Sequence, residues 1–82
     1  MAPRHRDTER YRDSEGNIWT IEYVLYDSTS GDAGDYDEVM QVKKNGREMG
    51  HLTYHKDKKG KNKIPPRLTG SVNLPPDAKR VV

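Results

Sequence analysis

The densest group of chemically capable side chains is a set of cations within residues 55–67. Its members are Lys56, Lys58, Lys59, Lys61, Lys63 and Arg67. Clustered ammonium groups displace counterions from a nucleic-acid backbone, which drives binding without any reading of the bases. Gly60 and Asn62 favour a pliable loop. The segment therefore predicts either weak, sequence-independent contact with DNA or RNA or an ordinary solvated surface.

This basic loop lacks the interleaved aromatic residues on which single-strand-binding proteins stack bases. Tyr54 is the one ring close to it in the sequence. Long charged loops on small β domains often carry recognition of other proteins. The first expectation is therefore a small non-enzymatic binding module, of inhibitor or adaptor type, that recognises a protein partner. Nucleic-acid binding through residues 55–67 is the alternative.

Two other groups resemble metal sites but have the wrong spacing. His51 and His55 are four residues apart in a predicted strand, where that interval spans about 13 Å and one metal cannot bridge them. The segment 27–38 carries five carboxylates, from Asp27, Asp32, Asp35, Asp37 and Glu38. An EF-hand needs a fixed ligand order between two helices, and neither is present here. We expect no metal and no cofactor.

Signs of catalysis are equally weak. The serines at positions 14, 28, 30 and 71 lie near predicted turns or on a predicted solvent face, and no histidine can be placed beside them. Glu22 is the one carboxylate inside an apolar strand, and we expect it on the wetter face of the sheet, opposite a Lys or Arg. No glycine-rich phosphate loop has a standard spacing. The sequence does not predict an enzyme.

Composition limits the chain to one small domain. Its 82 residues include no Cys and 13 Leu, Ile and Val residues, so both disulfides and a large core are excluded. The lack of Cys favours a reducing compartment, and the start of the chain lacks the apolar core of a signal peptide. No apolar run reaches the 18 or so residues of a membrane span. We expect a cytoplasmic protein that does not enter a membrane.

Charge is divided unevenly between the two halves. Residues 1–42 carry 4 basic and 10 acidic groups, whereas residues 43–82 carry 11 basic and 3 acidic groups. The halves therefore have net charges of −6 and +8, which sum to +2. Such asymmetry indicates either a charged partner or attraction between the two halves of the same molecule.

The strand signals organise the chain around residues 18–26. Trp19, Ile21, Tyr23 and Leu25 alternate onto one wholly apolar face. A turn containing Gly16 predicts a first hairpin with a strand over 9–13, in which Tyr11 faces Trp19. Asn45-Gly46 predicts a second hairpin between 38–44 and 47–55. Its two-residue turn implies the pairs Lys43–Glu48, Val42–Met49, Val39–Leu52 and Asp37–Tyr54.

The last predicted strand covers 68–74, where Leu68, Gly70, Val72 and Leu74 alternate with polar residues. Gly70 indicates a bend or a close backbone approach. Burial is expected for a common core of Trp19, Ile21, Tyr23, Leu25, Val72 and Leu74. The predicted fold is mainly β: a small five-stranded antiparallel sheet or an SH3-like or OB-like barrel. It occupies residues 9–74, with flexible tails at 1–8 and 75–82.

Overall fold

The chain forms one antiparallel β-sheet of six strands. The computed structural model describes residues 4–27 and 33–81, and this part contains no helix. The strands are β1 (Arg4–Arg12), β2 (Ile18–Asp27), β3 (Tyr36–Lys44), β4 (Arg47–Lys56), β5 (Arg67–Gly70) and β6 (Lys79–Arg80). Their order across the sheet is β5-β4-β3-β2-β1-β6. The mainly β antiparallel fold is confirmed, with one strand more than predicted. β5 and β6 lie at opposite edges, so the sheet is open and is not a closed barrel.

Two segments predicted as flexible tails contribute strands instead. β1 begins at Arg4, so residues 4–8 belong to the sheet. Lys79 and Arg80 pair with Arg12 and Tyr11. Backbone pairing at a sheet edge requires no apolar side chain, and neither segment has the alternating pattern by which strands are predicted from sequence. Within the carboxylate-rich segment 27–38, which we call the acidic loop, residues 28–32 lie outside the described residues.

Asp13 organises the turn between β1 and β2. Its carboxylate accepts hydrogen bonds from the backbone N–H groups of Glu15 and Asn17, at 3.0 and 2.9 Å, and from the Asn17 side chain at 3.0 Å. It also accepts one from the Trp19 indole Nε1 at 3.0 Å. These donors, led by the indole, lower the Asp13 pKa to about 2. The predicted pairing of Tyr11 with Trp19 is confirmed, as is the positive φ of Gly16.

The Asn45-Gly46 turn joins β3 to β4 as predicted. Both residues have positive φ, 51° and 82°, which a type I′ turn requires. Asn45 also fastens the turn to β2: its N–H donates to the Ile18 carbonyl at 2.7 Å, and its side-chain Oδ1 accepts from the Ile18 N–H at 2.9 Å. The predicted pair Lys43–Glu48 is confirmed.

A β-bulge at Met49 shifts the rest of this hairpin by one residue. Val42 pairs with Gly50, because Met49 is the extra residue between the two pairs. The other three predicted pairs, Val42–Met49, Val39–Leu52 and Asp37–Tyr54, are therefore wrong. The observed pairs are Val42–Gly50, Met40–Leu52 and Glu38–Tyr54. A one-residue shift moves every later side chain to the other face, which places Leu52 and Tyr54 with Met40 and Val42 rather than opposite them.

This shift gives the sheet one coherent apolar face. Directly paired residues share a face, so the registers place the following apolar residues together: Trp19, Ile21, Tyr23, Leu25, Met40, Val42, Leu52, Tyr54 and Leu68. Glu38 and Lys44 lie at the ends of the same face. The opposite face is mostly polar. It carries Glu22, whose carboxylate lies 3.4 Å from the Lys43 ammonium, as expected for the wetter face. We call the first set the apolar face.

Residues 71–78 cross the apolar face as a second layer. They connect β5 to β6, which are five strand spacings, or about 24 Å, apart. Nine residue steps reach at most about 30 Å, so the segment has to take a short path over the sheet. A Cβ added to Gly50 would meet the Ser71 backbone at 2.4 Å. Gly50 shares the face of Val42, so this segment, the strap, lies on the apolar face.

The far end of the strap is fixed beside Trp19. Asp77 accepts hydrogen bonds from the Ser14 N–H, at 2.8 Å, and from the Ser14 hydroxyl. The Ser71 N–H donates to the Met49 carbonyl at 3.0 Å at the other end. Gly70 permits this approach, because its φ is +70° and a Cβ there would lie 2.4 Å from the Met49 oxygen. This confirms the close backbone approach expected at Gly70.

The buried apolar residues lie on both faces of the sheet. Val42, 0% exposed, and Trp19, 8% exposed, are on the apolar face, whereas Val24, 8% exposed, is on the opposite face and pairs with Val39. Val72 and Leu74 in the strap are half-buried. The predicted core is thus correct for Trp19, but Ile21, Tyr23 and Leu25 are only half-buried. The predicted strand over 68–74 ends at Gly70, and Leu68 is 58% exposed. The alternation of apolar and polar residues over 71–74 comes from an extended segment lying on the sheet, not from a longer β5.

Gly50→Ala tests the close approach of the strap. In an open strand position, alanine is more stable than glycine by about 0.5–1 kcal/mol. Here the new methyl group collides with the Ser71 backbone, so we expect a loss of about 1–3 kcal/mol in the free energy of unfolding. Urea unfolding followed by the fluorescence of Trp19 measures this change. An unchanged or increased stability would mean that the strap does not lie on Gly50.

Candidate functional site

Three of the six predicted cations converge on one turn. The backbone N–H groups of Lys59 and Lys61 donate to the Asp57 carboxylate at 2.8 and 3.0 Å. Gly60, with φ +87°, donates its N–H to the Asp57 carbonyl at 2.9 Å. The hydrogen bonds, chiefly that from Lys61, lower the Asp57 pKa. The turn displays Lys58, Lys59 and Lys61, all exposed, and we call these three the basic turn.

The other three predicted cations, Lys56, Lys63 and Arg67, lie outside the basic turn. The Lys63 ammonium lies 2.8 Å from the carboxylate of Asp35, which is 5% exposed. The Lys56 ammonium lies 5.8 Å from the centre of the Tyr54 ring. Arg67 belongs to β5, where it pairs with Thr53 and faces the polar side of the sheet. The structure therefore does not assemble the full set predicted from the sequence.

Asp35 ties the basic loop to the end of the acidic loop. Besides Lys63, it has the His55 imidazole Nε2 at 3.9 Å, and the other ring nitrogen of His55 lies 2.6 Å from Asp37. His51 sits further along β4, 3.4 Å from the Glu48 carboxylate. This network places opposite charges from the two halves of the chain in contact. Part of the charge asymmetry is thus satisfied within the molecule.

A second candidate site is the part of the apolar face that the strap leaves uncovered. Tyr23, Met40, Leu52 and Leu68 form one row across β2, β3, β4 and β5, because each pairs with the next. The first three are half-buried and Leu68 is largely exposed. We call these four residues the open row. Leu25 and Tyr54 lie beside it on the same face and are also half-buried.

An acidic groove adjoins the open row at the β1 end. It has a volume of about 340 Å³ and is lined by Asp7, Glu9, Tyr23 and Glu38. Asp7 pairs with Tyr23 and Glu9 with Ile21, so both carboxylates are on the apolar face. The Glu9 carboxylate accepts a hydrogen bond from the Tyr11 hydroxyl at 3.1 Å. Each carboxylate retains further acceptor positions.

The raised pKa values of Tyr23, which lines this groove, and of Tyr11 next to it indicate a negative potential there. Burial raises the pKa of Tyr23, and the charges of Glu9, Asp7 and Glu38 raise it further. The hydrogen bond to Glu9 is the main reason that the Tyr11 pKa is also raised. A phenol whose ionisation is opposed by nearby carboxylates marks a place where positive charge is favoured. The groove is therefore suited to a cationic group.

A wider groove of about 530 Å³ lies near β6, lined in part by Arg12, Asp13, Ser14 and Asp77. Its carboxylates already hold the Trp19 indole and the Ser14 hydroxyl in place. Ser14 donates to Asp77, and this hydrogen bond lowers the Asp77 pKa. These groups fasten the strap to the first hairpin, so the groove is a structural junction.

Searches for similar proteins identify no match. No protein-family model, curated protein or solved structure matches the chain. Within residues 4–27 and 33–81, no group of three or more histidine or carboxylate side chains is arranged to hold a metal ion. The same residues include no helix with the length and apolar character needed to cross a bilayer.

The open row was missed in the sequence because of the bulge at Met49. A regular hairpin separates Met40 from Leu52, so neither face looks apolar. Register is set where one face is buried, and a one-residue shift is the change that gathers these apolar residues on one side. The need to gather the apolar residues of β3 and β4 on one face would therefore have predicted the shift, and with it the open row. The acidic groove has no such signal, because Asp7 and Glu9 were assigned to or near a tail.

Proposed function

We propose that the protein is a non-enzymatic binding module that recognises a protein partner through the open row. The observation that supports this proposal is a row of apolar side chains on four adjacent strands, ending in Leu68 at 58% exposure. Contiguous exposed apolar surface costs free energy in water and typically marks an interaction site. An adaptor or inhibitor acting in the cytoplasm is consistent with a chain without Cys.

The placement of the polar groups favours binding over catalysis. The Ser14 hydroxyl donates to Asp77, and Glu22 forms an ion pair with Lys43. His55 lies between Asp35 and Asp37. A serine nucleophile requires a base within hydrogen-bond reach, most often a histidine, whereas Ser14 bonds to Asp77 and His55 to the separate carboxylates of Asp35 and Asp37. These groups stabilise turns and loops, which is consistent with a scaffold that presents a surface.

The open row is tested by Leu68→Asp with Ile64→Asp as the matched control. Leu68 is 58% exposed and Ile64 50% exposed, but Ile64 lies outside the sheet. Protein partners are captured from a lysate of the source cells on each immobilised variant, with and without nuclease. We expect capture to survive nuclease and moderate salt, to be lost with Leu68→Asp, and to persist with Ile64→Asp. Capture that is abolished by nuclease, or that is unaffected by Leu68→Asp, would contradict the proposal.

A second candidate function is weak binding of a nucleic-acid backbone by the basic turn. Three exposed ammonium groups within one hydrogen-bonded turn favour it. Lysines act as point charges and lack the bidentate geometry that reads bases. The interaction would therefore be largely insensitive to sequence and strongly dependent on salt.

A salt titration of DNA and RNA binding tests this second function. Engagement of about three phosphates predicts a slope of log affinity against log salt near −3. Changing Lys58, Lys59 and Lys61 to Gln should bring the slope close to zero. The matched control changes Lys43, Lys44 and Lys79 to Gln, which alters net charge equally and should leave most of the slope. Absence of binding at low salt, or equal slopes for the two triple variants, would exclude the basic turn.

A further inference from the structure

The uncovered half of the apolar face has a defined size and polarity. The open row extends over three strand spacings, or about 14 Å. An α-helix of about ten residues, with a rise of 1.5 Å per residue, has this length. The row begins with the aromatic Tyr23 and continues with the aliphatic side chains of Met40, Leu52 and Leu68. An amphipathic segment of two or three turns therefore matches the surface.

Charge is concentrated at the Tyr23 end of the row. Asp7, Glu9 and Glu38 line the groove there. The same face also carries Lys44 over the Trp19 ring and Lys56 over the Tyr54 ring, and Arg80 pairs with Tyr11. None of these three cations lines the groove. Acidic groups thus dominate one end of an otherwise apolar row.

We propose that the open row accepts an amphipathic segment of a partner protein whose apolar side chains cover Met40, Leu52 and Leu68, and whose lysine or arginine enters the acidic groove. This inference rests on the proposed protein-binding function and adds the chemistry of the partner. Arginine suits the site best, because its planar guanidinium bonds a carboxylate in bidentate fashion and stacks on an aromatic ring such as Tyr23. The carboxylates fix the direction of the segment, since its basic end has to lie at β1.

The experiment selects partners from random 12-residue peptides displayed on phage, using the intact protein as bait. We expect the selected peptides to combine aliphatic or aromatic residues with Arg or Lys at one end. Peptides synthesised from the enriched sequences are then titrated against the wild type and against Leu68→Asp. Dependence on Leu68 tests the binding surface itself, independently of the charge of the peptide.

The acidic groove is tested by the double variant Asp7→Asn and Glu9→Gln. Both changes keep the shape and the hydrogen-bond acceptors toward Thr8 and Tyr11. We expect affinity for the selected peptides to fall about tenfold, the size of losing one charge-assisted hydrogen bond. The matched control changes Glu15 and Glu48 to Gln, which alters net charge equally away from the face and should have little effect.

Each outcome bears on one of the two proposals. Peptides that require Leu68 but carry no basic enrichment, or that respond equally to both double variants, would overturn the groove and leave the binding surface standing. If no selected peptide required Leu68, the protein-binding function itself would fail. Sedimentation showing a wild-type dimer that Leu68→Asp dissociates would assign the face to a second copy, which would overturn the cationic partner.

Discussion

The rest of the structure depends on the crossing of residues 71–78 over a single sheet. A sheet in water has to cover its apolar face with a second layer, and the strap supplies that layer here. Gly50 and Gly70 allow the backbones to meet, and Asp77 binds Ser14 at the far side. The strap is too short to cover the whole face. Val42 and Trp19 on this face are buried, whereas Leu68 at the end of the open row is largely exposed.

The same division explains how a chain so poor in aliphatic residues remains ordered. Within the described residues the buried apolar side chains are those of Val42, Trp19 and Val24, and hydrogen bonds from polar side chains hold the turns. Asp13 connects the first turn to the Trp19 indole, and Asn45 connects the second turn to Ile18. These hydrogen bonds fix the backbone where apolar contact is scarce, and a buried donor left without a partner would be costly. The most buried apolar residues and the open row are therefore different parts of the sheet.

Sequence patterning predicted the elements with strong local signals and missed those that depend on distant contacts. Alternation around Trp19 and the Asn45-Gly46 turn are local, and both were correct. The bulge at Met49 is not local, because it becomes favourable only when Leu52 meets Met40 across the hairpin. The strap resembles a strand in sequence, since an extended segment on an apolar surface alternates in the same way. In the candidate site, the three lysines of the basic turn could be predicted from the sequence. The ion pair of Lys63 with Asp35 could not, because the two residues are 28 positions apart in the chain.

The most direct test of the half-covered face is an NMR measurement of how strongly a dissolved paramagnetic agent broadens individual methyl signals. The methyl groups of Leu68, Leu52 and Met40 should broaden strongly in the free protein, while those of Val42 should be protected by the strap. Addition of a Leu68-dependent peptide should then protect the first three and leave Val42 unchanged. Strong broadening of Val42, or protection of Leu52 and Met40 before any peptide is added, would contradict the arrangement.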